Sequence, residues 1–89
     1  MKKMLFIYNP NAGTGILKPK LSEVLDIFTK GGYEVTVYPT QRTHDAVEKI
    51  QSYEGSYDLL VCSGGDGTLA DALTGRQRRG WGLAVGCCA

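Results

Sequence analysis

Apolar positions along the chain switch between short unbroken runs and helical spacings. Met4–Tyr8 is a continuous apolar run, the mark of a strand buried on both faces. A turn-rich stretch follows at Asn9–Gly15. Leu17, Leu21, Val24, Leu25 and Phe28 then return at three- and four-residue steps, one face of a helix that Gly31-Gly32 would stop. Tyr33, Val35 and Val37 alternate with Glu34, Thr36 and Tyr38 ahead of Pro39, which predicts a half-exposed strand. Thr43 can cap a short helix with Ala46, Val47 and Ile50 facing inward. Tyr57–Cys62 is a second near-continuous apolar strand. Ser63–Gly67 reads as a loop, Thr68–Thr74 as a helix closed by Gly75, and Gly82–Val85 fits a fourth strand.

Strands and helices therefore alternate. That order predicts an α/β fold of three layers, a parallel sheet with Rossmann-like alternation and helices on both faces. Right-handed crossovers would join the strands. The first and third strands, apolar throughout, belong in the middle. The second belongs at an edge.

Composition narrows the picture. With 89 residues, 43% of them hydrophobic and 21% charged, the chain is the size of one small domain and is not of the disordered class. A formal net charge of +1 leaves no electrostatic footprint for nucleic acid. No apolar run approaches the roughly 20 residues of a membrane span. Met1-Lys2-Lys3 opens like a signal peptide, but Asn9-Pro10-Asn11 breaks the apolar stretch too early. Three cysteines without a Cys-x-x-Cys pair suggest a reduced compartment and no metal centre, so a cytoplasmic location is expected. Cys62, in an apolar strand, reads as a small core residue.

Two loops carry the candidate chemistry, Asn9–Gly15 and Gly64-Gly65-Asp66-Gly67-Thr68. Each follows a central strand, at the end where open parallel sheets bind ligands. Glycines let backbone N–H groups approach a phosphate, and a helix starting at Thr68 adds partial positive charge. Asp66 in the same place calls for a cation beside it or for a proton-transfer role. The plain alternative is a strand-to-helix turn with Thr68 and Asp71 as a capping box. The pattern is neither Gly-x-Gly-x-x-Gly nor a P-loop. For Asn9–Gly15 alone, a simple turn is the stronger reading. His44, the one histidine, reads as solvated rather than catalytic. Arg76, Arg78 and Arg79 read as a solvated basic cluster, with contact to anionic lipid headgroups as the sharper alternative.

Gly64-Gly65-Asp66-Gly67-Thr68 after an apolar strand ending in Ser63 resembles the signature of the diacylglycerol kinase, NAD kinase and phosphofructokinase superfamily. Asn9-Pro10-Asn11-Ala12-Gly13 after the first strand resembles the lipid kinase branch, soluble bacterial diacylglycerol kinases and sphingosine kinases among them. The resemblance runs from Lys3 to about Gly75, and the spacing of the two loops is matched. It implies an incomplete N-terminal domain of the NAD kinase/diacylglycerol kinase type, ATP and Mg2+, and phosphoryl transfer to a lipid hydroxyl. By the same resemblance Asn9, Pro10, Asn11, Ala12 and Gly13 line the nucleotide site. Thr40 contacts the nucleotide. Gly64, Gly65, Asp66, Gly67, Thr68, Leu69 and Ala70 wrap the phosphates. The catalytic base and several magnesium-binding acids are attributed to a second, β-rich domain.

Departures from the pattern set further expectations. The family shows Asn-Glu-Val where this chain has Ala70-Asp71-Ala72. The Pro-x-Gly-Thr-x-Asn-Asp loop does not follow Gly75. Residues 1–75 are thus expected to be the N-terminal part of a nucleotide-binding domain, and 76–89 a divergent tail. A frameshift or a gene prediction that ends early would explain the tail; a true short form whose tail still supplies the fourth strand is the alternative. The expected partners are a nucleotide and, in the longer enzyme, a lipid at the inner face of a membrane. The edge strand Tyr33–Tyr38 is open to pairing in a homodimer. An NAD kinase-type enzyme and a non-catalytic nucleotide-binding module are the rival readings.

Overall fold

A computed structural model of the chain describes residues 1–10, 17–42, 44–52, 57–63, 66–80 and 84–88. The elements run β1 (Lys2–Tyr8), α1 (Leu17–Lys30), β2 (Tyr33–Pro39), α2 (Asp45–Ser52), β3 (Leu59–Ser63), α3 (Asp66–Arg79) and β4 (Ala84–Cys88). The four strands form one parallel sheet in the order β2-β1-β3-β4. The two apolar strands are central and β2 is an edge, as their patterns predict.

Side chains alternate across the sheet, so β1 feeds two cores. Met4 and Phe6, with Val61 of β3, pack under Leu21, Val24, Leu25 and Phe28 of α1. Phe6 meets Phe28 edge-on, with ring centroids 5.6 Å apart. On the other face Leu5, Ile7, Leu60 and Cys62 pack against Ala46 and Ile50 of α2 and Ala72 of α3. This is the three-layer arrangement, and Cys62 is the buried core residue expected.

Helix ends follow local chemistry. Gly32 has φ +94° and closes α1, its N–H bonded to the Thr29 carbonyl at 3.0 Å, a conformation that favours glycine. The Gly32 carbonyl in turn accepts from Lys2 N at 3.2 Å, which ties this helix end to the start of β1.

The third helix departs from expectation at both ends. It starts at Asp66 rather than Thr68 and passes through Gly75 to Arg79. Gly75 does not stop it because that glycine answers a packing demand. A Cβ there would lie 3.0 Å from Ile50 Cβ, so its absence lets α2 and α3 approach. Gly80, at φ +76°, ends the helix instead. The fourth strand covers Ala84–Cys88, in register with Leu59–Ser63; Gly82 and Leu83 of the expected strand lie outside the described residues.

Candidate functional site

A parallel sheet delivers all its strand ends to one side. Here β1, β2 and β3 end together. Tyr8 lies level with Pro39 of β2 and Ser63 of β3. Past the ladders, Asn9 N donates to the Ser63 carbonyl at 3.0 Å, and Thr40 N donates to the Tyr8 carbonyl at 2.8 Å. These bonds hold the first residues beyond β1 and β2 over the sheet edge.

A cavity of ≈ 270 Å³ opens at that place. Asn9 and Thr40 line its sheet side, Gly67, Thr68, Ala70 and Asp71 its α3 side, and Arg42, His44, Asp45 and Ala46 the side of α2 and its approach. Five residues singled out from the sequence thus meet around one space: Asn9, Thr40, Gly67, Thr68 and Ala70. Pro10 forms the turn after β1. Asp66 opens α3. Leu69 packs against the core cluster beneath α2 and α3 instead of lining the cavity. Asn11, Ala12, Gly13, Gly64 and Gly65 lie outside the described residues.

The first turn of α3 faces this region, and a helix N-terminus carries partial positive charge. A Cβ built at Gly67 meets nothing within 4 Å, so the backbone there is open to close approach. Thr68 is buried. This end of the cavity suits an anionic group.

The opposite wall is organised by Asp45, which is 4% exposed. Its Oδ2 accepts from the Tyr38 hydroxyl at 2.5 Å and from Gln41 N at 2.8 Å. Arg42 Nη1 stands 3.6 Å from its Oδ1. Burial alone would push the Asp45 carboxyl up. The bonds from Tyr38 and Gln41 and the charges of Arg42 and Lys49 outweigh burial and hold it below the ordinary aspartate value. Lys49 also lies over the Tyr38 ring, 4.7 Å from its centroid. Asp45 therefore pins the segment Thr40–Arg42 that forms this wall. Arg42 additionally pairs with Glu48.

His44 has φ 62°, and its Nδ1 lies 2.9 Å from Asp71 Oδ1. The sequence predicts a solvated His44, and its side chain is 77% exposed; α2–α3 packing also brings Asp71 to it, a contact without a local sequence signal. Asp45 was missed as well; the signal available was a lone acid within the inward face Ala46, Val47 and Ile50.

Magnesium, which the resemblance implies, meets no matching donor set here. Among the described residues no group of three or more His, Cys, Asp or Glu side chains could hold a metal ion. The two aspartates on the cavity are engaged by Tyr38 and Gln41 in one case and by His44 in the other.

The model of the diacylglycerol kinase catalytic domain matches residues 3–87. A diacylglycerol kinase of Staphylococcus saprophyticus is 40% identical over 75 residues, which cover 83% of this chain and 25% of that protein. A diacylglycerol kinase of Staphylococcus carnosus is 39% identical over 75 residues, with 83% and 24% covered. A crystal structure of a diacylglycerol kinase from Bacillus anthracis superposes with TM-score 0.70 at 29% identity, covering 83% of this chain and 27% of that one. The chain spans about a quarter of the length of the curated relatives it matches. No helix among the described residues is long and apolar enough to cross a membrane.

Proposed function

The chain belongs to the diacylglycerol kinase catalytic domain family, and from that premise we propose that it forms the nucleotide-binding part of an ATP-dependent lipid kinase. The observation that carries this reading is the convergence of Asn9, Thr40, Gly67 and Thr68 on one cavity at the strand ends. The start of α3 offers backbone N–H groups and its dipole to a polyphosphate. Gly67 leaves room for that approach. Asn9 and Thr40, fixed through their backbones to Ser63 and Tyr8, supply an amide and a hydroxyl at the floor.

Phosphoryl transfer depends on holding donor and acceptor in line while charge is stabilised. In this reading the described residues bind and orient the donor nucleotide, and Asp45 keeps the Thr40–Arg42 wall in place. The acceptor is a lipid hydroxyl, in keeping with the names of the relatives. The acceptor site and base belong to parts of the enzyme beyond these residues. The isolated chain is therefore expected to bind nucleotide weakly and to transfer no phosphate.

Calorimetric titration with Mg-ATP, beside a radiometric assay with dispersed diacylglycerol, tests this. Weak binding that is lost in Asp66→Ala and in Gly65→Val is the expected result. Unchanged binding in both variants would refute the phosphate-loop reading, and turnover above background would refute the prediction of inactivity.

A further inference from the structure

Among the described residues that line the cavity, Arg42 is the one lysine or arginine. Two carboxylates, Asp45 and Asp71, line the same space. At the Gly67–Thr68 side the helix start contributes only about half a positive charge. A polyphosphate seated there brings several negative charges. Much of its compensation therefore falls to the guanidinium on the opposite wall.

The root of Arg42 is fixed and its head is exposed. On one side Gln41 N donates to Asp45 Oδ2 at 2.8 Å. On the other, Asp45 N donates to the Arg42 carbonyl at 3.2 Å. The backbone is thus pinned twice to a buried aspartate, while the side chain is 62% exposed. Its two Nη atoms are engaged unequally. Nη1 stands 3.6 Å from Asp45 Oδ1, an ion pair beyond hydrogen-bond reach. Nη2 pairs with Glu48, whose side chain is 63% exposed and which is not among the residues lining the cavity. A pair this exposed is worth at most about 1 kcal/mol. A phosphate offers the guanidinium two parallel charge-assisted bonds, the geometry arginine suits best. Exchanging Glu48 for phosphate oxygens is therefore favourable. The plain alternative is that Arg42, Asp45 and Glu48 only staple the approach to α2.

We propose that Arg42 is a phosphate-binding residue of this cavity, and that Glu48 competes with the bound anion for its guanidinium. This takes its ligand from the nucleotide reading above and adds a cationic arm across from the start of α3. Binding moves the guanidinium from the rim to the phosphates and leaves Glu48 to water. Asp45 holds the root in place throughout. Affinity is thereby tuned by an acid that touches no nucleotide.

The test is calorimetric titration of the whole chain at constant ionic strength, with a non-hydrolysable ATP analogue and with inorganic tripolyphosphate. The proteins are wild type, Arg42→Ala, Glu48→Gln and the double variant, with thermal unfolding of each. Arg42→Ala should lose about ten-fold in affinity for both ligands, the size of one hydrogen bond to a charged group. Glu48→Gln should gain about three-fold, the size of an exposed ion pair released. In the Arg42→Ala background Glu48→Gln should have no effect, because its action passes through the guanidinium. A gain of equal size in both backgrounds would reduce Glu48 to bulk charge and overturn the competition. Variants that shift Tm while affinity stays at the wild-type value would leave only the staple and overturn the proposal. Arg42-dependent binding of tripolyphosphate without binding of the ATP analogue would uphold the anion contact and refute the nucleotide reading. Wild type that binds neither ligand would overturn both.

Discussion

Replacing Gly75 by alanine sets two effects against each other. In an open helix interior the change stabilises by about 1 kcal/mol, because glycine spends more backbone entropy on folding. At this position the new methyl would lie 3.0 Å from Ile50 Cβ, 3.1 Å from its Cδ1 and 3.2 Å from its Cγ2. Carbon atoms at rest stand about 3.5–4.0 Å apart, so three contacts are short by about half an ångström. The Cδ1 atom can swing aside. The Cβ atom moves only with the α2 backbone, and Ile50 is fully buried with a stiff β-branched side chain. Overpacking of this kind costs about 2 kcal/mol. The net expectation is a loss of about 1 kcal/mol, read as a fall in Tm of roughly 4–8 °C for a domain of this size. Thermal and urea unfolding followed by circular dichroism measure it. Ile50→Val removes the Cδ1 contact, so Gly75→Ala should cost less in that background, with a coupling of about 0.5 kcal/mol or more. A Tm at or above wild type for Gly75→Ala, or strict additivity in the double variant, would refute the close approach of α2 and α3.

Gly67→Ala should behave in the opposite way for stability. Nothing lies within 4 Å of the added Cβ, so Tm should rise by a few degrees at most, while nucleotide affinity drops because the methyl stands where a phosphate would approach. Lower stability, or affinity equal to wild type, would count against that picture. Asp45 predicts an acid-sensitive fold. Its carboxyl titrates below the ordinary value in the folded chain, so its contribution is fully present above the unfolded-state value and is lost as pH falls through the lowered one. Urea unfolding across the acid range should show this slope in wild type and a flatter one in Asp45→Asn. Asp45→Ala should cost about 2–4 kcal/mol at neutral pH, because it removes the acceptor shared by the Tyr38 hydroxyl and Gln41 N–H.

The sheet was legible because burial writes itself into sequence. Continuous apolar runs at Met4–Tyr8 and in β3, against alternation in β2, separate centre from edge. Asn9 and Gly67 were legible because central parallel strands send their ends to one side; Thr40 came only from the resemblance. What escaped depends on contacts between distant segments. Gly75 reads locally as a stop, and only Ile50 packed against it explains why the helix continues. Leu69 sits within the glycine-loop motif but turns to the core. The bond between His44 and Asp71 spans α2 and half of α3, and neither residue has a local pattern that names the other. The role of Asp45 arises from Tyr38 and Gln41 converging on it, which depends on how β2 hands over to α2.

The adjacency of β1 and β3 also bears on the order of folding. These strands are paired level, Tyr8 beside Ser63, yet about fifty residues of chain must be looped out before they meet, a closure that is entropically costly. Local helices can form early, but contacts of such long sequence separation slow the search for the native topology. Asn9 and the first turn of α3, which follow these strands, line one cavity only once the strands have docked, so a phosphate group finds no formed receptor in earlier states. Nucleotide should therefore slow unfolding and leave the refolding rate unchanged.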